Sequence, residues 1–265
     1  MAYKKRISAN QRRHNDYLRI EGLKVGKRYQ NKLIKLRRQE VRRILEQCKA
    51  YGKIDHWEEV IDMHLEESYL YDWYRGLYIA AGLPKAKATA RDLSLGKAAP
   101  DEGYWEMQLD QRAKERAGSE IVLVQDTLKE QLAGITRKYM QEDSQMSIEQ
   151  LARAIFKDYK DIELWQARRI AQTETMISLA EAGDVAARSL DVRYDKQWVI
   201  SGLGNTRETH AEMDGDIVDM DEAFEIKDAN GVFVCQMMYP HDGSLGAPAG
   251  EIINCACDVL HIPKR

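Results

Sequence analysis

Ala180-Glu-Ala-Gly-Asp-Val-Ala-Ala-Arg-Ser-Leu-Asp-Val-Arg-Tyr-Asp-Lys-Gln-Trp-Val-Ile200 is the stretch in which the chain changes its local grammar. Before about Leu190, apolar residues recur every three or four positions over long windows, the period of an amphipathic helix. After it, Gly, Pro, Asn and Asp become frequent, and short β-type runs replace the long period. The fold class that follows is a mostly α N-terminal part with a small C-terminal α+β module. The expected boundaries are a basic mobile arm over 1–20, a helical region over 21–190 and the module over 191–265.

On the N-terminal side, residues 30–48 set Leu33, Ile34, Val41, Ile44, Leu45 and Cys48 on one helix face and Lys35, Arg38 and Arg42 on the other, with Lys49 just beyond. A second helix is expected from about 55 to 81, with an aromatic-rich face of Trp57, Ile61, Leu65, Trp73, Leu77 and Tyr78. Gly82-Leu83-Pro84 reads as its stop, and 83–103 as a connector. Residues 104–140 carry a helical series weakened at Gly118 and Gly134, one helix or two. Ser147 with Gln150 makes a capping box, and Asp161 reads as the cap of a further helix through Trp165, Ile170, Ile177 and Ala180. Tyr69-Leu-Tyr-Asp-Trp-Tyr74 has the aromatics of a base-stacking platform, but its helical spacing favours core packing.

On the C-terminal side, Trp198-Val-Ile200, Gly231-Val-Phe-Val-Cys235 and Ile252-Ile-Asn-Cys-Ala-Cys-Asp-Val-Leu260 read as strands, with Asp228-Ala-Asn-Gly231 as a turn and 239–250 as a Pro- and Gly-rich loop. The 265 residues, 44% hydrophobic and 31% charged, suit one larger domain or two small ones and exclude disordered and collagen-like classes. No run of 18 apolar residues occurs and the opening lacks a secretory apolar stretch, so a soluble protein from a reducing compartment, with no membrane partner, is expected. The net charge of −3 hides an asymmetry: residues 1–50 hold 16 Lys and Arg against 4 Asp and Glu, so the rest of the chain sums to −15. One end is thus suited to a polyanion or an acidic partner, or simply presents a solvated helix face.

The chain has no Gly-rich phosphate loop, no His-Glu-x-x-His and no Gly-x-Ser-x-Gly. Its candidate chemistry lies in the terminal module, where His210, Cys235, His241, Cys255 and Cys257 gather. On a strand the last two cysteines share a face with sulfurs about 7 Å apart, able to converge on one ion if the chain bends. Zinc held by His210, Cys255 and Cys257, with Cys235 or His241 as the fourth ligand, is one reading. Packing of Ile253, Cys255, Cys257 and Val259 as a core face is the other. A cysteine nucleophile with His210 as base and Asp214 or Asp216 as orienter is the enzyme reading, disfavoured because an inward thiol lacks the electropositive exposure a reactive thiolate needs. Asp214, Asp216, Asp219, Asp221 and Glu222 form an acidic cluster suited to a divalent ion or to a turn in which Asp221 caps a helix at Ala223-Phe224.

The ordered set Trp198, Arg207-Glu-Thr-His210, Met213-Asp-Gly215, Phe224 after an acidic turn, Pro240 and Ile253-Asn-Cys-Ala-Cys257 resembles the C-terminal domain of tailed-phage minor head proteins, the phage Mu F-like head morphogenesis family. A helix with a Thr-Glu pair precedes that domain in the family, and Arg169-Ile-Ala-Gln-Thr-Glu174 with Ala180-Glu-Ala-Gly183 is similar. The resemblance runs from about Ile162 to Ile262. It implies a low-copy virion component, inside the head near the portal after assembly in the host cytoplasm, that assists head assembly, DNA packaging or delivery. Portal protein, capsid and scaffold are the implied partners; no catalytic activity and no appended effector domain are implied.

The family-like positions are Arg207, His210, Asp214, Gly215, Asn254, Cys255 and Cys257. Read physically, Asp214-Gly215 makes a turn, Arg207 and Asn254 tie loops, and His210 with the cysteines forms a small core or a metal clip. The basic end fits a DNA-filled head, with Lys4, Lys5, Arg6, Arg12 and Arg13 and the helix residues Arg37, Arg38, Arg42 and Arg43 available for double-stranded DNA or for portal docking. Two rival functions stand beside it. One is a metal-dependent nuclease or hydrolase using His210 with Cys255 and Cys257 or the 214–222 acidic cluster; the other is a stand-alone nucleic-acid-binding protein.

Overall fold

The computed structural model describes residues 9–50, 52, 67–94, 102–142, 146–201 and 206–264. Four long helices come first: α1 (Ala9–Ala50), α2 (Glu67–Ser94), α3 (Glu102–Glu142) and α4 (Ile148–Arg188). The C-terminal module then runs β1 (Tyr194–Val199), α5 (Glu208–Ala211), β2 (Ile217–Asp219), β3 (Phe224–Lys227), β4 (Phe233–Met237), α6 (Ala249–Ile252) and β5 (Asp258–Pro263). The expected class, long helices followed by a small α+β module, is the one observed. The described residues form two compact units, one drawn from 1–27, 75–112 and 171–265, the other from 28–74 and 113–170. Among the described residues no helix is long and apolar enough to cross a membrane.

The second unit is all helix. Its core joins Val41, Ile44, Leu45 and Cys48 of α1 to Leu128, Leu132 and Ile135 of α3 and Leu151, Ile155 and Tyr159 of α4. The capping box forms as its spacing predicts: the Ser147 N–H donates to Gln150 Oε1 at 2.9 Å and the Gln150 N–H to Ser147 Oγ at 3.2 Å. Trp73 and Tyr74 are buried edge to face, and the Trp73 Nε1–H donates to the Tyr29 carbonyl at 2.8 Å, so this aromatic stretch is core. Asp161 caps nothing, because α4 runs through it as one helix, with Tyr159 and Glu163 buried on either side. Trp165 is exposed beneath the Arg169 guanidinium, and Ala167 and Ala171 take the inner face instead.

In the helical part of the first unit, small residues set the packing. Residues 9–20, expected as an arm, form the opening turns of α1 with Asn15 and Arg19 buried; residues 1–8 of that expectation lie outside the described residues. A Cβ on Gly22 would sit 2.8 Å from Leu179 Cδ1, and one on Gly26 would sit 2.4 Å from Thr175 Oγ1, so these glycines let α1 lie directly on α4. The expected stop at Gly82-Leu83-Pro84 is overridden, since α2 continues to Ser94. Pro84 is exposed, so its ring meets no packed neighbour, while Lys85, Ala86, Ala88 and Ala90 are buried by continuing the helix. The 55–66 part of the expected second helix lies outside the described residues. Gly118 and Gly134 do not break α3.

In the module, β1 is the middle strand of an antiparallel sheet of order β2-β1-β5, and β3 and β4 form a separate hairpin. The hairpin turn is the one expected: Asp228 Oδ1 accepts the N–H groups of Asn230 and Val232, and Gly231 takes a φ of 77°. Lys196 of β1 is buried and donates to the carbonyls of Glu222 and Met238 on either side of the hairpin, and burial lowers its pKa to about 8. Under the sheet, Lys85 of α2 meets Asp258 of β5 at 2.7 Å and Asn15 Oδ1 of α1 at 2.5 Å, all three buried. Burial alone would raise the Asp258 carboxyl, but the charge and hydrogen bond of Lys85 outweigh it and hold it below its ordinary value.

This packing is open to two direct checks. Gly26→Ala gains about 1 kcal/mol of helix propensity but overpacks the α1–α4 contact at a cost of about 1–3 kcal/mol, so the urea midpoint falls. Gly118→Ala, whose Cβ meets nothing within 4 Å, raises it. His261 of β5 is buried edge-on to Tyr194; burial first, then Lys85, bring its pKa from 6.5 down to about 3. The unfolded chain therefore takes up this proton before the folded one, and stability falls as pH drops through the window from about 6.5 to about 3. His261→Phe keeps the ring contact, so the slope of urea midpoint against pH between about 6.5 and 4.5 flattens; an unchanged slope would assign the acid sensitivity elsewhere.

Candidate metal centre

Strand β5 begins at Asp258, so Cys255 and Cys257 lie on the segment before it and not on a strand as expected. Asn254, in the left-handed region at φ 58°, bends this segment, and its backbone N–H donates to Thr173 Oγ1 of α4 at 3.1 Å. The tie expected of Asn254 is thus made by its backbone, the side chain being exposed. From the other side, the Arg207 guanidinium donates to the Ile253 carbonyl, the loop-tying role expected of this family-like position. Gly215, at φ 87°, makes the expected turn after Asp214.

These ties bring His210 onto the two cysteines. Nδ1 of His210 lies 3.3 Å from Cys255 Sγ and 3.6 Å from Cys257 Sγ, and the three ligand atoms all fall within 4.8 Å of one another. All three residues are at most 3% exposed. The Cys257 N–H points at Cys255 Sγ at 3.3 Å. Trp198 packs edge-on against the imidazole at 5.2 Å between centroids. Beyond the ring, His210 Nε2 is 2.9 Å from Glu251 Oε2, off the in-line direction of a strong hydrogen bond, and Thr209 Oγ1 donates to the same oxygen at 3.0 Å. Hydrogen bonding with Cys257 holds the Cys255 thiol below its usual range, whereas the same contact, with burial, pushes the Cys257 thiol up.

Of the other proposed ligands, Cys235 is buried in the same apolar core but stands outside the three-residue cluster. Its thiol is raised by burial. His241 turns its Nε2 to the Cys257 carbonyl at 3.0 Å, bracing the segment from below. Glu251 and Thr209 escaped the sequence reading: 41 positions separate His210 from Glu251, and no local spacing marks the pair. The buried sulfurs share the core of Trp198, Phe224, Ile226, Met237 and Val259, so both sequence readings, apolar packing and a metal clip, meet in one place.

Three of the five residues of the acidic cluster meet cations. Asp214 pairs with Arg12 at 3.1 Å and accepts the Ile200 N–H; Asp219 meets Arg193 at 2.9 Å and Lys264; Asp221 meets Arg193 at 3.0 Å. Hydrogen bonding from Lys264 brings the Asp219 carboxyl down to about 2. No helix follows Asp221, since Phe224 opens β3. Among the basic candidates, Arg37 is buried and donates to the Val124 carbonyl at 3.4 Å, so it cannot meet DNA. Arg38 is half-buried on Glu163 at 2.7 Å, whereas Arg12, Arg13, Arg42 and Arg43 are exposed and Lys4, Lys5 and Arg6 lie outside the described residues.

Comparison with known proteins bears on this site directly. Residues 135–260 match the family described as Phage Mu protein F like protein. A relative, NAD(+)--arginine ADP-ribosyltransferase EFV of Enterococcus faecalis, is 29% identical over 140 residues, which are 47% of this chain and 27% of that protein. The chain therefore spans about a quarter of the length of that relative. No solved structure matches. All of α4, the Arg207–Gly215 turn and the Asn254–Cys257 bend fall inside the family match, so the part of the chain that is similar to Phage Mu protein F like protein takes in the whole candidate metal centre.

Proposed function

We propose that the protein is a minor head protein of a tailed phage or prophage, a low-copy virion component that joins the portal and procapsid and assists head assembly, DNA packaging or delivery. The family match over residues 135–260 carries this reading, and it supports phage head morphogenesis in general. The finer role rests on how the module and the basic helix are built. The module is a small, cross-braced body in which Asp219 and Asp221 pair with Arg193 and Asp214 with Arg12 of α1, an arrangement suited to docking. In the second unit, Lys35, Arg38 and Arg42 of α1 line a shallow concavity with Asn31, Ile34, Gln39 and Leu164, a surface complementary to a phosphate backbone or an acidic partner face.

In this reading the protein is not an enzyme, works inside the head near the portal and reaches that place from the host cytoplasm. The metal-dependent nuclease or hydrolase remains the rival because His210 and the two cysteines do converge. Activity of the Enterococcus relative belongs to that protein, most of whose length this chain does not cover.

The test is co-purification of the tagged full chain with the portal protein of the same phage or prophage, alongside DNA retention across a salt series. Helix α1 supplies buried side chains to both units, so charge reversal on its surface, Lys35→Glu with Arg42→Glu, is the informative change. The expected outcome is a stable portal complex, with DNA retention that weakens as salt rises. In the variant the salt slope becomes shallower by about 1 for each phosphate that is no longer neutralised. Absence of a portal complex, together with DNA cleavage in Mg²⁺, Mn²⁺ or Zn²⁺ that His210→Ala abolishes, would replace this reading with the nuclease.

A further inference from the structure

We propose that His210 Nδ1, Cys255 Sγ and Cys257 Sγ hold a zinc ion that clips α5 to the segment leading into β5. The inference is independent of the head-protein reading and rests on the dimensions of the cluster. A tetrahedral zinc with Zn–S near 2.3 Å and Zn–N near 2.0–2.1 Å has N···S edges of about 3.6 Å. The observed edges are 3.3 and 3.6 Å. A neutral imidazole offers one lone pair at Nδ1, which accepts one S–H in line, whereas a metal centre would take that nitrogen and both converging sulfurs as donors. Core packing of cysteines asks for no such convergence; Cys235, in the same apolar core, stays out of it.

The surroundings fit a metal-bound set. The Cys257 N–H directed at Cys255 Sγ neutralises part of a thiolate's charge. Glu251, held by Thr209, stands 2.9 Å from the far nitrogen of His210, where a small turn of the imidazole would bring the Nε2 proton in line with the carboxylate and leave Nδ1 as the donor to metal. The backbone delivers both sulfurs through the left-handed Asn254, anchored by Thr173, and places the histidine through Arg207 on the Ile253 carbonyl. Three protein ligands leave the fourth tetrahedral position to an exogenous donor such as water, since no fourth His, Cys, Asp or Glu among the described residues joins the cluster.

Elemental analysis of the full chain purified without chelator is expected to give about one zinc per chain. Cys235→Ser keeps the metal, whereas Cys255→Ser and Cys257→Ser lose it. Glu251→Gln binds about 10- to 100-fold more weakly, as loss of an outer carboxylate does. A ligand variant that fails to fold would also lose metal, so the wild-type chain supplies a second readout. Stripped and titrated with Co²⁺, it develops sulfur-to-cobalt charge transfer and tetrahedral d–d bands that stoichiometric Zn²⁺ abolishes. A wild-type chain that is metal-free as purified and shows no cobalt spectrum, or a folded Cys255→Ser Cys257→Ser double variant that retains zinc, would falsify the assignment and leave the three residues as packing.

Discussion

A lysine ammonium and an aspartate carboxylate share a site closed to water where α1, α2 and β5 meet. Taking either charge out of water alone costs several kcal/mol, so Lys85 and Asp258 are held in the interior only together, with Asn15 and the Val259 N–H completing their hydrogen bonds. Three chain segments separated by up to 243 positions are thereby pinned at one point. The consequences reach the candidate metal centre, because Cys257 is the residue next to Asp258. Once Asp258 is fixed under the sheet, the two sulfurs have little freedom, and the Asn254 bend and the Arg207 brace bring them to His210.

The helical scaffold meets that demand by being thin where it must be. Gly22 and Gly26 remove the side chains that would keep α1 off α4, and α4 answers with Leu179 and Thr175. The same helix carries Thr173, which receives the Asn254 N–H, and Glu174, which accepts a hydrogen bond from Tyr78 of α2 at 3.2 Å. The Thr-Glu pair is therefore a joint, one side chain facing the module and the other facing a helix. Both residues lie inside the family match, which runs from residue 135 to residue 260 and so takes in this helix together with the module.

Much of this was legible where the governing physics is local. The capping box at Ser147 and Gln150, the Asp228–Gly231 turn, the inner face of α1 and the change from helix to strand after Leu190 each depend on neighbours within a few residues. Even Arg37 was readable, since it lies four positions from both Leu33 and Val41 on the buried face, yet its charge suggested the surface. The local signals that misled were Pro84 and Asp161, both exposed, both tolerated because the helix around them buries enough side chains to outweigh the loss.

By itself, then, the chain's order of residues determined the periods, caps and turns, the basic first fifth, and the set of residues from which a site could be drawn. Only the tertiary structure decided which of those residues meet. It ran helices through their apparent stops, took Cys255 and Cys257 off the strand, left Cys235 aside and set Glu251 behind His210. The reason is one of range: hydrogen bonds of caps and turns act over a few residues, whereas buried charge pairing and close packing join segments far apart in the chain, and no local pattern encodes which partner they find.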